Sequence, residues 1–94
     1  MTRTVYLNGE YVSENEAKIS VFDRGFLMAD AVYEVTSVLD GKLIDFKGHA
    51  NRLNRSLDEL DIKNPISYEE LLAVHRELVR ANNIDEGLVY LQIS

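Results

Sequence analysis

Cysteine is absent from this 94-residue sequence, and proline occurs once. Without cysteine the chain has no disulfide framework and no thiolate metal site, which fits a reducing compartment. Its two histidines, His49 and His75, are too far apart in the sequence to indicate a metal pair, so we expect no metal site. No apolar run is long enough to span a bilayer, and residues 1–4 do not resemble the start of a signal peptide. We therefore expect a cytoplasmic protein.

Positive charge is also scarce, because ten Lys and Arg stand against sixteen Asp and Glu, for a formal net charge of −6. The acidic residues are spread along the chain, so we expect neither a nucleic-acid partner nor a membrane surface. Hydrophobic residues make up 46% of the sequence, which is enough for a folded domain. The length accommodates one small domain with a modest core.

Two hairpins are predicted from tight-turn signals. Asn-Gly and Asp-Gly pairs favour type I′ turns, because both central residues of such a turn take positive φ. The hairpins pair residues 4–7 with 10–12 about Asn8-Gly9, and residues 31–39 with 42–46 about Asp40-Gly41. A last strand is predicted at 88–93 and a short extended piece at 19–22.

Two helices are predicted between the second hairpin and the last strand. The first covers residues 47–61 and the second runs from a capping box, Ser67 with Glu70, to about Asn82. The period of 3.6 residues gives each helix one inner face. These faces comprise Ala50, Leu53, Leu57 and Leu60 on the first helix, and Leu71, Leu72, His75, Leu78 and Val79 on the second. The predicted fold class is α+β, with a small, mostly antiparallel sheet packed against two helices.

Tyr33 and Glu34 point to opposite faces of the strand at 31–39, because side chains alternate along a strand. Tyr33 shares its face with Val35 and Leu39, so we predict that it lies on the more apolar, inward side. A tyrosine there is either a core aromatic or a ligand contact. Glu34 is predicted to be solvated or to pair across the hairpin with Lys42.

His49, Arg52 and Ser56 form a polar row beside the buried stripe of the first helix. Arg52 is either a surface residue paired with Asp58 or Glu59, or a planar fork suited to a phosphate. His49 could orient a ligand oxygen or simply be exposed, and His75 is predicted to be a packed, hydrogen-bonded side chain. No serine has the partners of a nucleophile, so we expect no catalytic residue in this chain.

Four short motifs together carry a resemblance to a known family. They are Asp23-Arg24-Gly25, Asp30-Ala31-Val32-Tyr33-Glu34-Val35, Asp40-Gly41-Lys42 and His49-Ala50-Asn51-Arg52-Leu53. The chain resembles the N-terminal domain of class IV (fold type IV) pyridoxal-phosphate aminotransferases, above all the D-amino-acid (D-alanine) aminotransferases. The resemblance covers nearly the whole chain.

The resemblance implies the roles of two residues. Arg52 would bind the phosphate of pyridoxal 5'-phosphate, and Tyr33 would lie in the substrate pocket and hold the substrate carboxylate. The complete enzyme would be a homodimer that moves an amino group from a D-amino acid to a 2-oxo acid. One departure from the family pattern is Ala29-Asp30-Ala31, where the family commonly has Gly-Asp-Gly.

The family's Schiff-base lysine lies in a C-terminal domain, beyond the position matching residue 94. None of the lysines here is a credible substitute, because they lie in predicted turns or exposed helix starts (Lys18, Lys42, Lys47 and Lys63). We therefore expect residues 1–94 to be an N-terminal small domain that is truncated within its sheet and inactive alone.

Two groups of alternatives stay open. Within the superfamily these are branched-chain aminotransferase, (R)-selective amine transaminase and aminodeoxychorismate lyase. From a different class, the chain could be a non-catalytic interaction module that binds a partner strand at its sheet edge.

Overall fold

The computed structural model describes residues 2–23 and 31–94, and within these ranges it confirms the α+β class. The strands are β1 (Thr4–Leu7), β2 (Glu10–Ser13), β3 (Val32–Leu39), β4 (Lys42–Leu43) and β5 (Glu86–Ile93). The α-helices are α1 (Phe46–Glu59) and α2 (Tyr68–Ala81), and a short 3₁₀ helix covers Glu14–Glu16. Among the described residues, no helix has the length and apolar character needed to cross a membrane.

Both predicted hairpins are present. Asn8 and Gly9 turn β1 into β2 with φ values of 49° and 90°, and Asp40 and Gly41 turn β3 into β4 with φ values of 51° and 70°. All four residues therefore have the positive φ that a type I′ turn requires, which is why Asn, Asp and Gly occupy these positions.

The prediction that the returning strand of the second hairpin reaches residue 46 is wrong. β4 ends at Leu43, and Asp45 takes a left-handed conformation with φ 53° and ψ 41° that turns the chain directly into α1. Phe46 is consequently the first helical residue, and its side chain is buried. The apolar character of Phe46 indicated a strand. The chain turns before it because Asp45 is a residue type that tolerates positive φ.

The short extended piece predicted at residues 19–22 is also wrong. Ser20 organises a turn there, since its hydroxyl accepts the Phe22 N–H at 3.0 Å and its carbonyl accepts the Asp23 N–H at 3.1 Å. Serine commonly stabilises turns in this way by offering the backbone a side-chain acceptor.

The larger sheet has the strand order β4-β3-β5. β3 and β5 are antiparallel along their whole length, from Val32 opposite Ile93 to Leu39 opposite Glu86. β4 pairs only with the last two residues of β3. Within the described residues, the other edge of β3 is therefore unpaired near its start.

The helices cover one face of this sheet. In α1 the predicted stripe is buried at Ala50, Leu53 and Leu57, whereas Leu60 is 43% exposed because the helix ends at Glu59. In α2 the capping box is confirmed: Ser67 Oγ accepts the Glu70 N–H at 3.2 Å and donates to its carboxylate at 3.1 Å. Two hydrophobic clusters result, one centred on α1 and one formed by Val38, Val79 and Val89.

Asn82 joins the first hairpin to the end of α2. Its Oδ1 accepts the Thr4 N–H at 2.7 Å, and its Nδ2 donates to the Thr4 carbonyl at 2.9 Å. The side chain thus substitutes for a neighbouring strand at that residue and satisfies two backbone groups of β1.

Candidate functional site

A buried carboxylate lies at the centre of the candidate site. β3 places Glu34 on the face covered by the helices, where its side chain is only 6% exposed. Arg52 donates from Nε and Nη2 to the two carboxylate oxygens, both at 2.8 Å. His49 Nδ1 is 2.7 Å from Oε1. Burial of a carboxylate is costly unless it is paired and hydrogen-bonded, and here both conditions are met.

Helix α1 positions the two partners. His49 and Arg52 are three residues apart, so they lie on the same side of the helix, as the sequence predicted. The prediction that Arg52 pairs with Asp58 or Glu59 is wrong, because its carboxylate partner is Glu34. The prediction that Glu34 is solvated or paired with Lys42 is wrong too, because Glu34 faces α1.

The electrostatics keep this pair ionised. The hydrogen bonds from Arg52 lower the pKa of Glu34 below its ordinary value, and they outweigh burial, which acts in the opposite direction. The same hydrogen bonds raise the pKa of Arg52. An ionised carboxylate can only accept hydrogen bonds, so the His49 Nδ1 that faces it donates.

His75 is packed against the same region, as the sequence predicted. Its side chain is 3% exposed, its Nδ1 lies 2.9 Å from the Leu71 carbonyl, and its ring meets the Phe46 ring at 4.9 Å. Because burial disfavours the charged imidazolium, the pKa of His75 is lowered.

The surroundings of Glu34 are filled by protein. Thr36, Phe46, His75 and Leu91 are among the described side chains that line this space, and they leave no room for a water molecule. The carboxylate is therefore held by side chains rather than by solvent, which fixes the orientation of Arg52.

Tyr33 lies on the opposite, uncovered face of the sheet, so the prediction that it points inward is wrong. It is 65% exposed and stacks on Tyr90, with ring centroids 5.9 Å apart and planes inclined by 15°. Tyr90 in turn donates from its hydroxyl to Gln92 Oε1 at 2.9 Å. The faces were misread because two polar residues, Glu34 and Thr36, occupy the buried side of β3.

Arg52 and Tyr33 nevertheless belong to the same end of the sheet. Tyr33 directly precedes Glu34, the carboxylate that binds Arg52, and the Arg52 side chain is 58% exposed. Asp23 also reaches this end, because its carboxylate accepts a hydrogen bond at 2.7 Å from the hydroxyl of Ser94, just after β5. The rest of the Asp23-Arg24-Gly25 motif, and Ala29-Asp30, lie outside the described residues.

Sequence reasoning missed two residues of the site, Glu34 and Tyr90. Glu34 could have been found from one signal, namely a lone acid on a strand face opposite a helix row that contains His49 and Arg52. Tyr90 required the pairing of β3 with β5, which no local pattern shows.

A family model for amino-transferase class IV matches residues 31–94. D-alanine aminotransferase of Staphylococcus haemolyticus is 42% identical over 88 residues, which are 94% of this chain and 31% of that protein. A putative branched-chain-amino-acid aminotransferase of Methanocaldococcus jannaschii is 39% identical over 90 residues, 96% of this chain and 31% of that protein. The chain thus spans 31% of the length of both curated relatives.

The fold is also found in solved structures. The T.th. branched-chain amino acid aminotransferase with pyridoxamine 5'-phosphate matches with a TM-score of 0.91 at 24% identity, over 98% of this chain and 32% of that one. The branched-chain aminotransferase of Thermoproteus uzoniensis with norvaline matches with a TM-score of 0.82 at 29% identity, over the same shares of the two chains.

The chain belongs to the class IV aminotransferases. The family model covers more than half of it, and the fold is that of the solved family members. The resemblance carried by the four sequence motifs is confirmed at this level.

The lowered pKa of His75 predicts a loss of stability in mild acid. Its pKa is near 6.5 when the chain is unfolded, so the unfolded state binds the extra proton first as the pH falls from about 7 to about 5. Stability should decrease over this window by at most about 1.4 kcal/mol per pH unit, the limit for one proton. Urea unfolding at several pH values measures the slope.

The two histidines provide a matched comparison. A His75→Gln variant should lose most of this slope, whatever its absolute stability, whereas a His49→Gln variant retains His75 and should retain the decline. Equal slopes in the wild-type and His75→Gln proteins would show that the prediction is wrong.

Proposed function

We propose that residues 1–94 form the N-terminal small domain of a pyridoxal-phosphate-dependent aminotransferase, and that its C-terminal domain supplies the Schiff-base lysine. The proposed reaction moves an amino group from a D-amino acid of the D-alanine type to a 2-oxo acid, in a homodimer. The observation that carries the proposal is the fixed, outward-facing Arg52 in a chain 42% identical to a D-alanine aminotransferase. The 94 residues alone are proposed to be inactive.

The residues of the site fit the phosphate of this cofactor. Glu34 engages Nε and Nη2 of Arg52, and both N–H groups of Nη1 have no partner among the described residues. Because Glu34 already holds the guanidinium through two of its nitrogens, the Arg52 side chain loses little conformational freedom on binding. The planar N–H donors of a guanidinium match the oxygens of a phosphate. When bound, pyridoxal phosphate supplies the electron sink of the reaction, while the protein supplies binding and orientation.

Tyr33 is the proposed substrate ligand. Its exposed hydroxyl on the uncovered sheet face is available to donate to a carboxylate. Stacking on Tyr90 restrains the Tyr33 ring, so less side-chain entropy is lost on binding.

Branched-chain aminotransferase is the second candidate, favoured by the 39% identity to the putative Methanocaldococcus jannaschii enzyme. The two candidates differ in substrate rather than in Arg52 or Tyr33. A panel of D-alanine, D-glutamate, L-leucine and L-valine with 2-oxo acids would distinguish them. Family membership favours either candidate over a sheet-edge interaction module.

The first test is the intact mass of the protein purified from its native cells, before and after borohydride reduction. We expect a mass well above the 10.7 kDa of this chain, a gain of one cofactor on reduction, and transfer from D-alanine to a 2-oxo acid. A mass of 10.7 kDa with no adduct and no transamination would contradict the proposal.

Replacing Arg52 by Lys should weaken cofactor binding in the complete protein. Lysine keeps the charge but loses the fork, and hydrogen bonds to charged groups contribute about 1.5–3 kcal/mol, so the Kd for pyridoxal 5'-phosphate should rise tenfold or more. The Kd for pyridoxal, which lacks the phosphate, should stay nearly constant.

An Arg55→Lys variant is the matched control for this experiment, because Arg55 is an exposed residue of the same helix. It should bind both compounds as the wild type does. Equal weakening of pyridoxal and its phosphate by Arg52→Lys would point to a general disturbance of the fold instead.

Replacing Tyr33 by Phe should raise KM for amino acids and lower kcat/KM by about tenfold, the effect of one charge-assisted hydrogen bond. A primary amine without a carboxylate should be unaffected. Tyr11→Phe removes a hydroxyl from a partly exposed tyrosine of the first hairpin and serves as the control. If Tyr33→Phe leaves the amino-acid KM unchanged, Tyr33 does not bind the carboxylate.

A further inference from the structure

A groove on the helical side of the domain shares one lining residue, Phe46, with the surroundings of Glu34. It lies between α2 and the turn that joins β3 to β4, and its volume is about 660 Å³. We call it the basic groove. It is lined by Gly41, Lys42, Leu43, Phe46, Tyr68, Leu72, Arg76, Val79 and Arg80.

The charges along the basic groove are of one sign. Lys42, Arg76 and Arg80 line it, and no carboxylate of the described residues does so. Arg80 is bonded to Glu77, which lies outside the lining. Lys42 and Arg76 form no salt bridge with any residue in the described part of the chain. In a protein with a net charge of −6, this clustering leaves two exposed cations without a compensating group in the described ranges.

The floor of the basic groove is apolar and aromatic. Phe46 and Val79 are buried there, and Leu43 and Leu72 are half-buried. The partly exposed Tyr68 ring stands against the edge of Phe46, with centroids 5.4 Å apart and planes at 62°. A flat apolar group placed on this floor would contact two rings while its polar end faced the cations.

We propose that the basic groove binds a small organic anion, namely a carboxylate or phosphate attached to a flat apolar body. A guanidinium and an ammonium favour such an anionic group, and Tyr68 with Leu72 favours the body. The volume lies within the range of about 300–1,000 Å³ that small-molecule sites occupy. The proposal does not depend on the aminotransferase assignment, because the basic groove shares neither Arg52 nor Tyr33 with that site.

The test is a titration of the complete protein that contains these residues, labelled with ¹⁵N and deuterium and followed by TROSY NMR. Phenylacetate and phenyl phosphate carry the two anion types, phenylacetamide lacks the charge, and acetate lacks the ring. We expect saturable shifts at Gly41, Leu43, Leu72 and Arg76, with a Kd of about 1 mM or tighter for one of the anions. The anion with the lower Kd identifies the preferred head group.

Three variants sharpen the test. Lys42→Gln and Arg76→Gln remove exposed cations that hold no other described residue, so the fold should be retained, and each should weaken binding about five- to tenfold. Arg55→Gln removes a cation of α1 that does not line the basic groove, and it should leave the Kd unchanged. Phenylacetamide and acetate should each bind at least about fivefold more weakly than phenylacetate.

Several results would overturn the proposal. Equal binding of phenylacetate and phenylacetamide would show that the cations do not take part, and an equal effect of Arg55→Gln and Arg76→Gln would show unspecific attraction. Shifts confined to Tyr33 and Tyr90 would assign the anion to the other sheet face. Shifts at the basic groove that depend on protein concentration alone would make it an interface between copies of this chain.

Discussion

The ion pair between Glu34 and Arg52 is the interaction on which the domain depends. Removing a carboxylate from water costs several kcal/mol, so Glu34 can occupy the covered face of β3 only while its partners remain in place. Those partners come from α1, and the same contacts therefore join the sheet to the helix and fix the guanidinium. The stability of the domain and the orientation of Arg52, which is proposed to bind the phosphate, therefore both depend on the Glu34 carboxylate.

Sequence reasoning succeeded where neighbouring residues alone decide the local structure. The hairpin turns at Asn8-Gly9 and Asp40-Gly41, the capping box at Ser67, and the helix row of His49 and Arg52 all follow from local rules about φ, caps and periodicity. Each of them is decided by residues within a few positions of one another. The four motifs then indicated the family, because their residue types and their order along the chain both match the family pattern.

The failures have a common physical cause, which is that they required knowledge of partners distant in the sequence. The alternation of polar and apolar residues placed Tyr33 on the inward face, because Glu34 and Thr36 on the opposite face are polar. The charge of Glu34 is nevertheless compensated by residues of α1. Functional sites commonly depart from this alternation, because a buried polar group there has a functional role. Tyr90 was missed for the same reason, since only the register of β5 brings it beside Tyr33.

The strand order also has a kinetic consequence. β3, β4 and α1 follow one another directly, so Glu34 can meet His49 and Arg52 through short loops, whereas both helices separate β3 from β5 in the chain. Helices and hairpins form within about microseconds, but closing a long loop has a larger entropic cost. Docking of β5 should therefore limit the folding rate, and a nascent chain could assemble the Glu34 network before β5 emerges from the ribosome.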